Sequence, residues 1–474
     1  MFKARLLLLI SFFFAAGCAS DSSDGQPASQ IEIDSVKVDP IETVYGTVYP
    51  LDADSIDLDA ELDAGNNVVR IKSKLSFAIA THDHKPMLAL PADASNLVVS
   101  LDSKSLDKNE LKPVTIPLEN GNRYHVLDQI LSEGGHIFEF EYTLPAQSSF
   151  LSRFADINGK GLQAYVPCNP MLYDRFHFFG KMSVANAGET YRFYSNATTS
   201  DLDNNSWSFA HSVRVNALAP YFHLLPESAI VGSATRTYQG AAGPITIHAY
   251  RTDAAAPNTT GAIDVIEASL AKYEGLLGPY AHGNKFIAYI TTGSGGMEHS
   301  GATVSSLSAL KHEVFHSWFA TGVFPRFYSD AWIDEALARW FDNSSPVESL
   351  AGSTKAVRLA GYSPYQLYFP TDAYNYGSKL IAHLASLAGG RDRFMQFLSE
   401  FYQQNKLQTV TTEIFLDFMK SKLGVDLNGF FATYIYGGRS STSDRPDEVI
   451  SETSFAPKSG LEAPLTEGSF LREN

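Results

Sequence analysis

The sequence predicts an α+β protein with two folded units, a sheet-rich one over residues 31–235 and a mixed, mainly helical one over 236–438. Three observations carry this reading. In the first stretch apolar residues alternate with polar ones at a period of two, the pattern of half-buried antiparallel strands. From Gly243 onward short apolar runs give way to stretches with apolar residues three and four apart, and after Gly377 only that helical spacing remains. The 474 residues, 44% hydrophobic and 12% aromatic, suffice for two or three packed cores.

The chain begins with an address. Lys3 and Arg5 precede an apolar run over residues 6–14, and Ala15-Ala16-Gly17 then leads to Cys18. The run is too short for a permanent membrane helix and has the layout of a secretory signal, so residues 1–17 read as a leader. The Ala-Ala-Gly-Cys junction resembles a bacterial lipoprotein processing site. That resemblance implies a lipidated Cys18 and, with Ala19 following, an outer-membrane anchor facing the periplasm or the cell surface; simple secretion is the alternative. Residues 18–30 form a polar tether. Removing Lys3 and Arg5 with the leader leaves 34 of the 36 basic residues against 52 acidic ones, a net charge of −18. No basic patch stands out, which argues against nucleic acid and anionic headgroups as partners. With Cys18 committed to lipid, Cys168 is the one cysteine left, so the cores and a metal rather than disulfides hold the fold.

Strand patterns in the first unit are explicit. Ile31, Ile33, Val36 and Val38 alternate with polar residues, Ile56-Asp57-Leu58-Asp59-Ala60-Glu61-Leu62-Asp63 alternates strictly, and residues 69–72 and 136–142 continue the rule. The acidic ladder Asp57, Asp59, Glu61, Asp63 lacks the glycine turn and terminal Glu of a calcium loop, and reads as a solvated strand face.

The second unit carries the chemistry. Residues 245–250 and 285–290 read as strands and 262–277 as an amphipathic helix. The second of these strands delivers the chain to Gly295-Gly296-Met297-Glu298-His299. Two glycines let the backbone run close to a ligand and leave main-chain groups free to pair with a peptide, and Glu298 adds a negative charge. Next comes Lys311-His312-Glu313-Val314-Phe315-His316-Ser317-Trp318-Phe319. On a helix His312 and His316 lie one turn apart and can aim both imidazoles at one point. That point suits a zinc ion, and Glu313 stands where it can take a proton from a water activated there. A catalytic zinc needs a third protein ligand. Eighteen residues separate His316 from Glu335, which lies in Trp332-Ile333-Asp334-Glu335-Ala336-Leu337-Ala338-Arg339-Trp340. There Trp332, Ala336 and Trp340 form the buried stripe of a second helix with Glu335 beside it. A core-facing carboxylate needs a partner, and one Zn2+ per chain held by His312, His316 and Glu335 supplies it. The implied chemistry is metal-assisted hydrolysis.

These motifs resemble the aminopeptidase N family of zinc metallopeptidases. The glycine segment is similar to that family's Gly-Ala-Met-Glu-Asn element, in which the Glu grips the substrate's free α-amine; the resemblance implies that role for Glu298 and substrate contacts for Gly295, Gly296 and Met297. Tyr374-Asn375-Tyr376-Gly377 resembles the family's Tyr-Glu-Lys-Gly, which implies that Tyr374 stabilises the oxyanion, with Tyr376 in reserve. Ser329-Asp330-Ala331-Trp332 resembles Asn-Asp-Leu-Trp, and Asp330 reads as an acceptor that orients a ligand histidine. Ala164-Tyr165-Val166-Pro167-Cys168-Asn169-Pro170, Tyr191-Arg192-Phe193-Tyr194-Ser195-Asn196 and residues 430–437 extend the likeness, which covers scattered motifs from about residue 140 to 437. It implies a saddle-like amino-terminal β domain followed by a thermolysin-like, mainly helical catalytic domain.

The departures are specific. Asn169-Pro170-Met171 replaces the usual acidic pair, and only Asp156 and Asn158 stand where a second amine-binding Gln or Glu belongs. The ending Glu298-His299 also resembles the glycyl aminopeptidase family, whose second His lies farther from its third ligand. The family's large carboxy-terminal helical domain is not matched, and residues 439–474 read as a loosely ordered tail. The function implied is a zinc aminopeptidase acting on peptides with free amino termini. The rivals are an endopeptidase of the same chemistry and a catalytically silent binding protein of the envelope.

Overall fold

The structure is a computed structural model and describes residues 40–438 apart from 80–84, 91–93, 108, 115–123, 146–174, 217–218, 351–354 and 364–368. The leader, Cys18, the tether, the strand pattern over 31–38, Asp156, Asn158, the Pro167-Cys168 segment and the tail lie outside the described residues.

An eight-stranded sheet dominates the first unit, with a five-stranded and a two-stranded sheet beside it. Its centre is Ala53–Asp63 paired antiparallel with Val68–Ile79, which pairs antiparallel with Gly134–Pro145. Because side chains alternate across a strand, Ile56, Leu58, Ala60 and Leu62 join Phe138, Phe140 and Tyr142 in one buried core. The other face is a charge ladder. Asp57, Asp59 and Glu61 stand opposite Lys74, Lys72 and Arg70, and Glu139 and Glu141 flank those lysines on the next strand. Ion pairs Arg70–Glu61 at 2.6 Å, Lys72–Glu141 at 2.9 Å and Lys74–Glu139 at 2.8 Å make it a solvated face of paired charges. On the far side Ala53–Asp63 pairs parallel with His177–Ala185, a join between segments over a hundred positions apart.

Gly232–Gly240 pairs along its whole length with Gly243–Arg251 and belongs to a second, five-stranded sheet. The chain therefore leaves the first group of sheets between Pro226 and Gly232, and position 235, read from sequence as the end of the first unit, falls inside the first strand of the second sheet. The order of that sheet is Gly232–Gly240, Gly243–Arg251, Lys285–Ile290, Ala302–Ser305 and, at the edge, Gly296–His299. The three middle strands are parallel and the edge strand is antiparallel to its neighbour. Helix α1 (Thr259–Leu277) makes the first crossover, capped by Asn258, whose Oδ1 accepts from the Gly261 N–H at 2.7 Å. It buries Ile263, Ile266, Leu270, Tyr273 and Leu277 against the sheet.

Helices α2 (Leu310–Phe315), α3 (Trp332–Asp342), α4 (Ser378–Leu387), α5 (Arg391–Asn405), α6 (Thr412–Leu423) and α7 (Asn428–Tyr434) complete the unit. Trp318, Trp332 and Trp340 are fully buried at its centre, and each indole N–H is satisfied, by Gly278 O, Thr412 Oγ1 and Pro346 O respectively. No helix among the described residues is long and apolar enough to cross a membrane.

The two units meet at Ser195, Asn196 and Ala197. Lys285 Nζ donates to the carbonyls of Ser195, at 2.8 Å, and Ala197. Burial pulls the Lys285 ammonium down to about 8. Asn196 Nδ2 donates to Ala219 O at 2.7 Å and to Ser300 O at 2.8 Å, and its Oδ1 accepts from the Tyr221 N–H at 2.7 Å. The first unit thereby fixes the turn that follows Glu298.

Candidate active site

The site is built where the edge strand, α2 and α3 converge. Glu298 lies opposite Thr303 in the edge hairpin, and Gly296 opposite Ser305. After Ser305 the chain turns into α2, and the Ser306 N–H donates to Gly295 O at 2.8 Å, which ties the edge strand to the start of that helix. Gly296 rests directly on Glu313: a β-carbon there would lie 2.5 Å from Glu313 Cγ. A side chain at 296 would push the Glu313 side chain aside, and glycine leaves that carboxylate its place.

Helix α2 ends at Phe315, one residue before the second histidine. His316 nevertheless keeps helical dihedrals, φ −59° and ψ −13°, which preserves the four-residue register. The two imidazoles stand 4.8 Å apart between centroids. Glu335, on the first turns of α3, brings Oε2 to 3.1 Å from His312 Nε2 and 3.7 Å from His316 Nε2. One donor atom from each of His312, His316 and Glu335 lies within 4.8 Å of the others, and the same holds for Glu298, Glu313 and His316. The structure thus brings together five of the residues singled out by sequence.

Tyr374 joins them. It sits in a π-helical turn, Ala373–Gly377, packed on α3 so closely that a β-carbon on Gly377 would come within 2.8 Å of Ala336 Cβ. Its hydroxyl donates to Glu335 Oε1 at 3.0 Å. Tyr376 instead packs against the core and under the Lys379 ammonium.

Asp330 differs from its expected place. The 3₁₀ turn Tyr328–Asp330 aims its carboxylate at α6, where Oδ1 accepts from Thr412 N at 2.9 Å and Thr412 Oγ1 at 2.7 Å. It ties two helices together, and burial pushes its carboxyl up to about 7. The histidine acceptor is Asp342, whose Oδ2 takes the Nδ1–H of His312 at 2.7 Å. His316 Nδ1–H goes to the carbonyl of Phe319 at 3.1 Å. Both Nε2 atoms are thereby left facing the cluster. The signal for Asp342 was present: it lies seven residues after Glu335, two turns along the same helix face. A backbone carbonyl such as that of Phe319 leaves no such trace. Asp334 was also unremarked; it is buried, and burial, then Glu335 and Glu298, push its carboxyl up.

The donor set calls for a cation. Glu298, Glu313, Asp334 and Glu335 crowd two imidazoles in a water-poor space. Burial and the facing carboxylates push Glu298 and Glu313 up, while His316, His312 and the Tyr374 hydroxyl hold Glu335 below its ordinary range in spite of burial. His316 Nε2 and Glu313 Oε2 are buried with no hydrogen-bond partner. Buried orphan acceptors of this kind are costly unless something positive satisfies them. Two imidazole nitrogens and a carboxylate are a donor set that fits a zinc ion of the hydrolytic type.

Comparison with known proteins agrees in fold. No protein-family profile matches the chain. Mouse aminopeptidase B is 27% identical over 194 residues, a match spanning 32% of this chain and 30% of that protein. The chain therefore spans less than a third of the length of this curated relative. Among solved structures, Legionella pneumophila aminopeptidase A superposes over 82% of this chain and 49% of its own, at 16% identity and a TM-score of 0.63. An M1 zinc metallopeptidase from Deinococcus radiodurans covers 82% of this chain and 95% of its own, at 15% identity and a TM-score of 0.57. Yeast LTA4 hydrolase covers 82% and 69%, at 14% identity and 0.59. The chain has the fold of the M1 zinc aminopeptidases, and its structural neighbours are enzymes of that group.

Proposed function

We propose that the chain is a zinc-dependent aminopeptidase with a thermolysin-like catalytic unit. The observation that carries this reading is the set of distances among Glu298, Glu313 and His316, whose donor atoms all lie within 4.8 Å of one another. A strand residue advances about 3.3 Å. A carboxylate that holds an α-ammonium at Glu298 therefore leaves room for one residue, and no more, before the bond that Glu313 faces. An endopeptidase has no use for that charge.

His312, His316 and Glu335 would hold the metal, which would supply Lewis-acid chemistry to the scissile carbonyl and the attacking water. Glu313 takes the proton released as the water oxygen attacks and delivers it to the leaving amine nitrogen, so the carboxylate ends as it began. Its burial favours this traffic, because a raised affinity for protons suits a group that must accept and return one. The Tyr374 hydroxyl, close to Glu335, turns to donate to the oxygen that gains charge. The edge strand Gly296–His299 offers its outer main-chain groups to the peptide backbone. A Deinococcus radiodurans M1 structure binds a Tyr-Ser-Ala substrate, which supports a peptide in this groove. We further propose anchoring in a bacterial envelope through Cys18, a reading that rests on the sequence around that residue and is checked by the mass of the amino-terminal peptide.

The test is turnover of aminoacyl-anilides by purified protein before and after chelation. Hydrolysis that disappears on chelation and returns with one equivalent of Zn2+ supports the proposal. Metal-independent hydrolysis contradicts it.

A further inference from the structure

The parallel strands Gly243–Arg251, Lys285–Ile290 and Ala302–Ser305 all end on the same side of their sheet, and a hollow of about 500 Å³ lies just outside those ends. Such crevices are where open α/β sheets bind ligands. This one is lined by Pro257, Thr291, Thr292, Gly293, Leu307 and Ser308. None of the residues already placed in the site contributes to it. Yet it adjoins that site at both ends: residues 291–295 run directly into the edge strand, and residues 306–309 run directly into α2.

The direction of a bound peptide follows from two positions. On the aminopeptidase reading Glu298 holds the amine and the first peptide bond lies toward Gly296, which rests on Glu313, so the peptide runs against the direction of the edge strand. Continued past Gly295, it heads for Gly293, three positions before Gly296 and about 10 Å farther on at the usual strand rise. Gly293, at φ 107°, bends the protein chain away there and opens the hollow. Its lining is neutral. Three hydroxyls, from Thr291, Thr292 and Ser308, surround Leu307, a leucine that keeps 37% of its surface exposed. A charged side chain would find no charged partner among these lining residues, whereas an aliphatic side chain would cover Leu307.

We propose that this hollow is a subsite for the third and fourth residues of the peptide substrate and selects uncharged side chains there. The chain is then an enzyme of peptides at least four residues long rather than of dipeptides. This inference rests on the aminopeptidase reading.

The test compares kcat/KM for an aminoacyl-anilide, a dipeptide amide, and tetrapeptide amides that share their first two residues and carry Val, Lys or Glu at positions three and four. Full-length protein, Thr292→Trp, which fills the hollow, and Leu307→Asp, which charges it, are assayed together. Wild-type protein should favour the Val tetrapeptide over the dipeptide and the charged tetrapeptides by about tenfold, the scale of discrimination by one apolar pocket. In both variants the ratio of Val tetrapeptide to anilide turnover should fall by a similar factor. Anilide turnover with no dependence on positions three and four, or a preference that survives in both variants, would overturn the subsite and leave the aminopeptidase standing. Loss of all turnover in metal-loaded wild-type protein would overturn the aminopeptidase, and the subsite with it.

Discussion

Asp342 accepts the Nδ1–H of His312 at 2.7 Å, two helical turns beyond Glu335 on the same helix. One short helix thus supplies both the Glu335 carboxylate of the donor cluster and the group that fixes the tautomer of its His312 imidazole. The bond directs Nε2 of His312 toward Glu335 and removes one rotation from the site before any ion arrives. Asp342→Ala should weaken zinc binding about 10–100-fold, the usual effect of removing such a partner. Competition against a chromophoric chelator reads this directly, and unchanged affinity would show that the carboxylate is incidental.

Glu313 is assigned to proton transfer, not to holding the metal. Glu313→Gln should therefore keep its zinc while kcat falls about 10²- to 10⁴-fold. Metal analysis of the same preparation separates the two roles, since a variant that loses its zinc as well would make Glu313 a ligand.

Tyr374→Phe removes one hydroxyl and little volume. We expect kcat to drop about 10²- to 10³-fold with KM nearly unchanged, the pattern of an interaction made in the transition state. A larger change in KM than in kcat would assign the residue to substrate binding.

Asn196 acts at a distance. Its carboxamide donates both to Ala219 O within the first unit and to Ser300 O of the second, and Ser300 lies two residues after Glu298. Asn196→Ala should destabilise the fold by about 1–3 kcal/mol, because buried main-chain groups lose their partners. It should also raise KM for free-amine substrates more than it lowers kcat. Urea denaturation reads the first effect, and steady-state kinetics on the same preparation reads the second.

Asp63 sets an acid limit on the first unit. Asn186 and Asn66, helped by Arg70, donate to its buried carboxylate and hold it well below the ordinary carboxylate range, against the pull of burial. A depressed folded-state value means that the stabilisation is complete above the unfolded value, about 4, and is lost as pH falls through the folded one. Asp63→Ala should lower the denaturation midpoint at pH 7, and the gap from wild type should narrow steadily below about pH 4. A gap that stays constant down to pH 2 would contradict this.

Local pattern made much of the architecture legible. The spacing of apolar residues located all but the start of α1, at residues 262–277, and the strand at 285–290, because the helix buries one regular face and the strand, buried on both of its faces, is a continuous apolar run. The pattern of two histidines and a distant Glu also picked out His312, His316 and Glu335, whose donor atoms lie within 4.8 Å of one another, since helical register is a local property. What depended on distant partners did not show. Nothing in residues 53–63 reveals a parallel partner at 177–185, and Asp330 was given a histidine to orient because of its place in a resembling motif, whereas the turn around it points to Thr412. The boundary read at residue 235 falls inside Gly232–Gly240, because pairing with Gly243–Arg251, not periodicity, decides which sheet a strand joins.

The central claim is that this site removes one residue from a free amino terminus. Its most direct measurement is kcat/KM for matched peptide substrates with a free or an acetylated α-amine, using wild-type protein and Glu298→Ala. The account predicts that wild type cleaves the free-amine member and that Glu298→Ala loses this cleavage without gaining the other. Equal cleavage of both members by wild type, unaffected by Glu298→Ala, would contradict it and make the enzyme an endopeptidase.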